Sequence, residues 1–178
     1  MNKNRRPSPS VSTAQAPHTK SVAKKGGLRP LVPGEKRRVA MIGCGIQMRT
    51  ALIPQFLDRE NAPNMRIVAV CDCDRVRAAA GAKQVNDYNK NKGCKAVLDF
   101  RDILRDPSID AVCIAAPDHW HAYMSVEAMK QGKDVYCEKP LTFCIDEAKK
   151  VIAAQKKFKR VFQTGSMQRS WAEVSEFR

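Results

Sequence analysis

The sequence of 178 residues lacks any long apolar run, and this absence excludes two classes of protein. No segment approaches the ~18 apolar residues that a membrane-spanning helix needs. The basic start, Asn2 to Arg6, is followed by Pro and Ser residues. A secretory or twin-arginine signal would instead continue into an apolar stretch of about seven or more residues. We therefore expect a cytoplasmic protein that makes no membrane contact.

Acidic residues are scarce: 18 Asp and Glu stand against 32 Lys and Arg, giving a net charge of +14. Most of this excess lies in residues 1–38, which contain no Phe, Trp or Tyr. Such a Ser/Pro/Gly/Lys-rich segment is expected to be disordered. Without aromatic residues or a recognised module it would bind nucleic acid only non-specifically, in a salt-sensitive manner. We interpret residues 1–37 as a disordered basic tail and residues 38–178 as one folded domain.

The chain has seven cysteines but no Cys-x-x-C pair. The odd number and the spacing argue against a zinc site and against a disulfide framework. Several of these cysteines lie inside apolar runs, where cysteine acts as a small hydrophobic residue. Reduced thiols in a cytoplasmic protein, with no bound metal ion, are the expectation.

The apolar runs are short and rich in Val, Ile, Ala and Cys, which is typical of strands buried on both faces of a parallel sheet. They predict strands at 38–43, 66–72, 95–98, 109–115, 134–138 and 161–165. Helical spacing predicts helices at 46–59, 74–85, 100–105, 120–131 and 145–158, the first with a kink or early break at Pro54. Strand and helix alternate, so the sequence predicts right-handed βαβ units in a doubly wound, three-layer αβα fold of the Rossmann type.

The last residues form an apolar stripe, because Trp171, Val174 and Phe177 are spaced by three along a predicted helix. A helix that begins here has nothing after it to complete its packing. We expect either that it packs back on the sheet or, as the favoured interpretation, that the chain is a fragment.

A glycine turn, Gly43-Cys44-Gly45, follows the first predicted strand. It matches the first two glycines of a dinucleotide fingerprint, in which backbone amides at a helix amino terminus approach a pyrophosphate. Gly43, Gly45 and Ile46 are therefore candidate cofactor-binding residues. The third fingerprint position holds Met48, whose side chain should push the helix from the strand or narrow the pyrophosphate approach. An ordinary glycine turn remains the alternative.

Asp72 ends the second predicted strand, 29 residues after Gly43, where the usual spacing is about 20 residues. A carboxylate at this place accepts hydrogen bonds from the adenosine ribose hydroxyls and repels a 2′-phosphate, which favours NAD over NADP. Asp72 could instead cap the following helix, although Asp74 is the better candidate for that role.

The loop after the fourth predicted strand reads Ala116-Pro117-Asp118-His119-Trp120-His121. Two histidines flank a tryptophan at the same rim of the sheet. His121 is the better candidate for reaching a substrate or a ribose. A cap or a packing residue is the alternative.

Glu138-Lys139-Pro140 comes just after the apolar run Val135-Tyr136-Cys137, at the end of the fifth predicted strand. Because the carboxyl ends of parallel strands share one edge of a sheet, Lys139 should lie on the same rim as the glycine turn. A buried ammonium there would stabilise an alkoxide that develops in the substrate. A solvated surface lysine is the alternative.

At this point the chain resembles the Gfo/Idh/MocA family of oxidoreductases, from about Arg38 to Arg178 and over that family's amino-terminal domain. The matching residues are Gly43-Cys44-Gly45, Asp72, Pro117 with His121, Gly132 to Val135, Glu138-Lys139-Pro140 and Gln163-Thr164-Gly165. The resemblance implies that Lys139 lies near the nicotinamide and a substrate hydroxyl, that Glu138 helps to bind the cofactor, and that a cis peptide precedes Pro140.

The resemblance also implies hydride transfer between NAD and a sugar or polyol hydroxyl. Family members continue into a second domain, which supplies most substrate contacts and usually an Asp/His pair, and oligomers are possible in the full-length protein. By itself this chain should bind a dinucleotide and turn over little. A relative that holds NAD without net redox turnover, such as an NAD-dependent glycosidase or a dinucleotide sensor, is the alternative.

Overall fold

The computed structural model describes residues 31–60 and 62–170. Most of the expected basic tail, residues 1–30, lies outside the described residues, and so does most of the helix expected at the end of the chain, 171–178. Within the described residues, no helix is long and apolar enough to cross a membrane.

Six strands form one sheet in which every neighbouring pair is parallel. The strands are β1 (Arg37–Ile42), β2 (Met65–Cys71), β3 (Lys95–Val97), β4 (Ala111–Ile114), β5 (Asp134–Cys137) and β6 (Phe162–Thr164). Their order across the sheet is β3-β2-β1-β4-β5-β6. All six predicted strands are present, and the doubly wound parallel sheet is confirmed.

Five helices connect the strands: α1 (Ile53–Leu57), α2 (Arg75–Asn89), α3 (Phe100–Arg105), α4 (Asp118–Lys130) and α5 (Ile145–Phe158). The bounds of α3 and α5 are as predicted. Helix α2 is longer than predicted, because its polar second half carries little apolar pattern. Its start is fixed by Asp74, whose side chain accepts hydrogen bonds from the N–H groups of Val76 (2.8 Å) and Arg77 (3.2 Å).

The prediction of a kink or break at Pro54 places the irregularity of this helix at the wrong residue. Pro54 lies in the first turn of α1, where the missing N–H of proline is tolerated. The irregularity comes earlier, as a π-helical turn over Met48–Leu52.

Alternate residues of β1 face two separate cores, which makes the fold a three-layer αβα sandwich. Val39 and Met41 pack with α1 and α2, whereas Ala40 and Ile42 pack with α3, α4 and α5. The sheet is thus buried on both faces along its centre, which explains the nearly continuous apolar runs of the strands.

The chain changes direction across the sheet between β1 and β4, since β2 and β3 lie to one side of β1 and β4 to β6 to the other. In open parallel sheets such a switch point leaves a crevice at the carboxyl ends of the strands, and ligands bind there. The glycine turn and Asp72 follow strands directly at this carboxyl edge, and Pro117 and Lys139 lie two or three residues past the ends of β4 and β5.

Buried charged side chains close the opposite, amino edge. The Lys133 ammonium donates to the carbonyl oxygens of Asp106 and Ile109. The Asp134 carboxylate accepts from the N–H of Val161 at 2.9 Å, and burial raises the pKa of this carboxyl group. These contacts hold the amino ends of the strands together. The crevice at the switch point therefore lies at the opposite, carboxyl edge.

Candidate cofactor site at the carboxyl edge

The glycine turn is held between the ends of β2 and β4 by main-chain hydrogen bonds. The N–H of Gly43 donates to the carbonyl of Cys71 at 2.8 Å, and the N–H of Ala115 donates to the carbonyl of Ile42 at 2.8 Å. Gly43 has a φ of +88°, and a Cβ atom placed on it would lie 2.5 Å from the carbonyl oxygen of Ala115. Glycine is required here for its conformation and for the close approach of the two loops.

Gly45 faces open space, because a Cβ placed on it would meet no heavy atom within 4 Å. The next residue, Ile46, begins the helical segment and is 77% exposed. First-turn N–H groups of a helix have no partner within that helix, and the positive end of the helix dipole favours anions. The turn therefore offers amides and an uncovered apolar side chain to a phosphate-bearing ligand.

Met48 lies in the core and not in the approach to the turn. Its side chain is fully buried among the residues beneath α1 and α2. The expectation that it narrows the pyrophosphate approach is therefore wrong, and the alternative, that it pushes the helix from the strand, stays a prediction. The residue that comes close to the turn is Gly81 of α2, where an added Cβ would lie 3.2 Å from the sulfur of Cys44. The sequence does not point to Gly81, because a lone glycine within a helix carries no specific signal.

Asp72 connects the glycine turn to the end of β2. Its Oδ2 accepts from the N–H of Cys44 at 2.8 Å, and its Oδ1 accepts from the N–H of Asp74 at 2.9 Å. The side chain is half-buried, and a carboxylate has about four acceptor positions, so it retains capacity for further donors. Asp72 does not cap α2, since Asp74 does so.

His121 is enclosed between two loops at the carboxyl edge and is 1% exposed. Its Nδ1 lies 2.6 Å from the carbonyl oxygen of Pro140, and its Nε2 lies 2.8 Å from that of Ala116. The position differs from the expectation that His121 reaches a substrate or a ribose, because both ring nitrogens face main-chain carbonyls. Its geometry is that of a residue joining the Pro117 loop to the Lys139 loop, and Pro117 itself is exposed.

The three residues of the Glu138-Lys139-Pro140 element differ in their exposure to solvent. Glu138 is 4% exposed, whereas Lys139 and Pro140 are exposed. The expectation of a buried ammonium is thus wrong, because the Lys139 side chain is exposed at the carboxyl edge. The peptide bond between Lys139 and Pro140 is cis, as expected.

The cysteines are all free, and five of the seven are buried. Burial raises the pKa of Cys44, Cys71 and Cys137 to about 12, so these thiols stay protonated at neutral pH. The exposed pair is Cys73, directly after Asp72, and Cys144, at the start of α5. In the part of the chain that the structure describes, no group of three His, Cys, Asp or Glu side chains is placed to hold a metal ion.

Comparison with known proteins gives a family match that covers the whole sheet. Residues 37–166 match the model of the Gfo/Idh/MocA oxidoreductase family with an NAD-binding Rossmann fold. Inositol 2-dehydrogenase of Rubrobacter xylanophilus is 37% identical over 108 residues, which cover 60% of this chain and 29% of the relative. Glycosyl hydrolase family 109 protein 2 of a Shewanella strain is 34% identical over 133 residues, covering 72% of this chain and 28% of the relative.

Solved structures share the fold. Myo-inositol 2-dehydrogenase of Lactobacillus plantarum superposes with a TM-score of 0.67 at 27% identity, over 80% of this chain and 40% of that one. WlbA of Chromobacterium violaceum, solved with NADH, gives 0.71 at 22% identity over 83% and 40% of the two chains. KijD10 of Actinomadura kijaniata, solved with NADP, gives 0.68 at 22% identity over 80% and 42%. The fold by itself thus accommodates either dinucleotide.

The aligned segments span under a third of the length of the two curated relatives and well under half of the solved chains. The likeness therefore concerns the dinucleotide-binding fold. The family match covers most of the chain and includes the glycine turn, Asp72 and the Glu138-Lys139-Pro140 element on one edge of a parallel sheet. This chain belongs to the Gfo/Idh/MocA family of oxidoreductases and forms its NAD-binding Rossmann domain.

Proposed function

We propose that this chain binds NAD(H) in preference to NADP(H) across the carboxyl edge of its sheet. We further propose that it is the cofactor-binding part of an oxidoreductase that acts on a sugar or polyol hydroxyl. The observation that carries the proposal is the position of Asp72. Its carboxylate closes the glycine turn through the N–H of Cys44 at 2.8 Å and keeps unused acceptor positions at the rim.

The residues of the first half of the edge fit a dinucleotide. The open side of Gly45 and the first-turn amides would hold the pyrophosphate, and exposed Ile46 would be covered by the ligand. Asp72 would accept from the adenosine ribose hydroxyls and would repel the charge of a 2′-phosphate.

Across the switch point, Pro117, Glu138 and Lys139 would face the nicotinamide half of the cofactor. When bound, the nicotinamide supplies the hydride acceptor or donor. Glu138 would bind the cofactor from its buried position, and the exposed Lys139 ammonium would hold or release a proton at Nζ beside a substrate hydroxyl. His121 would act indirectly, by holding the two loops that carry these groups.

Titration calorimetry of the purified chain with NAD and with NADP tests the cofactor preference. We expect NAD to bind at least roughly tenfold more tightly, which corresponds to about 1.4 kcal/mol. Asp72→Asn should reduce this ratio, because the amide keeps the shape but loses the charge. Asp74→Asn is the matched control, since asparagine also caps helices and the ratio should stay unchanged. Equal or tighter NADP binding by the unaltered chain would refute the ribose role of Asp72.

The role of Lys139 requires a longer protein that contains this domain and shows turnover. There Lys139→Ala should lower turnover by roughly 10²–10⁴-fold, the usual range for a positioned acid or base group, and should hardly alter NAD affinity. Lys149→Ala, at an exposed lysine of α5, is the control. Stopped-flow nicotinamide absorbance measures the effect. Near wild-type rates in Lys139→Ala would leave Lys139 a surface lysine and favour a sensing protein.

The domain organisation is also proposed. Residues 1–37 form a basic tail, residues 38–178 form the dinucleotide-binding domain, and substrate contacts come from a further domain outside this sequence. The short share of the relatives that this chain covers supports the last point. Seven free cysteines support a cytoplasmic location, where thiols stay reduced.

A further inference from the structure

Tyr136, Glu138 and Gly165 meet where β5 and β6 reach the carboxyl edge of the sheet. The hydroxyl of Tyr136 lies 3.5 Å from Oε1 of Glu138. Gly165 follows β6, is buried, and donates its N–H to the carbonyl of Cys137 at 2.7 Å. The three residues therefore form a small cluster beside Lys139, in which Glu138 and Gly165 are buried and Tyr136 is half-buried.

The Glu138 carboxylate is buried but weakly bonded. Its two donors among the described residues are the hydroxyl of Tyr136, at 3.5 Å, and the N–H of Lys139, at 3.3 Å. Both distances are longer than typical hydrogen bonds. A carboxylate accepts about four hydrogen bonds, and burying one without partners is costly. Glu138 thus keeps acceptor capacity at the edge where the cofactor is proposed to bind.

Gly165 provides the space that the carboxylate occupies. A Cβ on residue 165 would lie 2.8 Å from Oε1 and 2.9 Å from Cδ of Glu138, and 2.9 Å from the hydroxyl of Tyr136. All three atoms are at the ends of side chains, so an alanine would displace the carboxylate without moving the backbone. Because the φ of Gly165 is not in the left-handed region, the conformation itself does not require glycine.

Tyr136 keeps a protonated hydroxyl and a restricted ring position, so it can donate a hydrogen bond to the Glu138 carboxylate. Burial and the nearby Glu138 carboxylate raise the pKa of Tyr136 to about 12, so its hydroxyl keeps its proton at neutral pH. Its ring packs edge-to-face against Phe56, with centroids 6.2 Å apart, and this contact limits its movement.

We propose that Tyr136 and Gly165 are positioning residues that hold the Glu138 carboxylate toward the nicotinamide half of the bound dinucleotide. The inference rests on the proposed function. It assigns roles to two residues that do not themselves need to touch the ligand, one as a hydrogen-bond donor and one through the absence of a side chain.

The experiment compares two ligands, NADH and ADP-ribose, by calorimetry on the 178-residue chain. ADP-ribose lacks the nicotinamide and keeps the adenosine and the pyrophosphate. Gly165→Ala should weaken NADH binding roughly tenfold or more, the loss expected for a hydrogen bond to a charged group, and should leave ADP-ribose binding unchanged. Tyr136→Phe should give the same pattern with a smaller loss. The melting temperature of Gly165→Ala should stay within about 3 °C of the unaltered chain.

Gly93→Ala is the matched control. Its added Cβ would meet a side-chain end, Nη2 of Arg66 at 2.9 Å, and Gly93 lies just before β3, away from the carboxyl edge. Gly93→Ala should bind both NADH and ADP-ribose as tightly as the unaltered chain does. The double variant Tyr136→Phe/Gly165→Ala should lose less than the two single losses combined, because removing the hydroxyl gives the carboxylate room.

The outcomes separate the inference from the proposed function. If Gly165→Ala binds NADH as the unaltered chain does, or if both ligands weaken equally, the positioning roles are refuted while dinucleotide binding stands. If the unaltered chain binds neither NADH nor ADP-ribose, the proposed function fails and the inference fails with it.

Discussion

The two halves of the carboxyl edge are built in different ways. On the side of β1 and β2, main-chain hydrogen bonds from the N–H groups of Gly43 and Ala115 hold the glycine turn, and the Asp72 carboxylate adds one from the N–H of Cys44. On the side of β4 to β6, buried side chains hold the loops, chiefly His121 and Glu138. The first half is fixed mainly by main-chain contacts and the second mainly by side-chain contacts.

Gly43 and Gly165 illustrate this difference. A side chain on Gly43 would collide with the backbone of Ala115, which cannot move without disturbing β4, whereas one on Gly165 would collide with the movable end of Glu138. In the proposed binding mode, the half with the backbone contact would hold the adenosine and pyrophosphate, and the half with the movable carboxylate would face the nicotinamide.

Gly43→Ala should have the largest effect. A left-handed conformation costs a non-glycine residue roughly 1–2 kcal/mol, and the 2.5 Å backbone contact adds to this. We expect unfolding free energy to fall by about 3 kcal/mol or more and cofactor binding to be lost. Gly34→Ala is the control for strain alone, because Gly34 has a φ of +83° with no atom within 4 Å. Equal losses in urea denaturation would contradict the role of the close approach.

Gly45→Val should abolish NAD binding without unfolding the protein. This result would distinguish Gly45, which is proposed to face the ligand, from Gly43, which the fold requires. An added Cβ would meet no residue beyond its chain neighbours within 4 Å, so we expect the branched side chain to extend into the proposed pyrophosphate approach. Calorimetry with NAD should detect no binding, and the melting temperature should hardly change. If the variant still bound NAD, the pyrophosphate could not be bound at this turn.

His121→Asn should loosen the second half alone. Asparagine cannot reach both carbonyls, so one contact between the Ala116 and Pro140 loops is lost at a cost of about 1–3 kcal/mol. NADH affinity should fall more than ADP-ribose affinity. His119→Asn, at an exposed neighbour, should change neither. Equal weakening of both ligands would mean that His121 supports the whole edge.

Thiol labelling should give the smallest effect. Cys73 and Cys144 are exposed and should react with iodoacetamide at pH 8, while buried thiols such as Cys44, with its pKa raised to about 12, should not. Saturating NAD should slow the labelling of Cys73, beside Asp72, and leave that of Cys144 unchanged. Equal rates at Cys73 with and without NAD would place the adenosine elsewhere.

Much of this architecture follows from the sequence, because its signals are local. Short Val/Ile/Ala/Cys runs predict all six strands. The glycine turn, Asp72 and Lys139 come within two residues of strand ends that must share an edge in a parallel sheet. Asp74 as the cap of α2 is an equally local feature, whereas the cis peptide before Pro140 is implied by the resemblance to the family.

Tertiary structure decided what depends on contacts between distant segments. His121 is enclosed because the Ala116 and Pro140 loops converge on it. Met48 packs in the core beneath α1 and α2. Lys139 is exposed although its neighbour Glu138, also past the end of β5, is buried. Gly165 is glycine because a carboxylate from the neighbouring strand fills the space beside it. Sequence patterns report on nearest neighbours along the chain, whereas burial and close approach are set by residues tens of positions away.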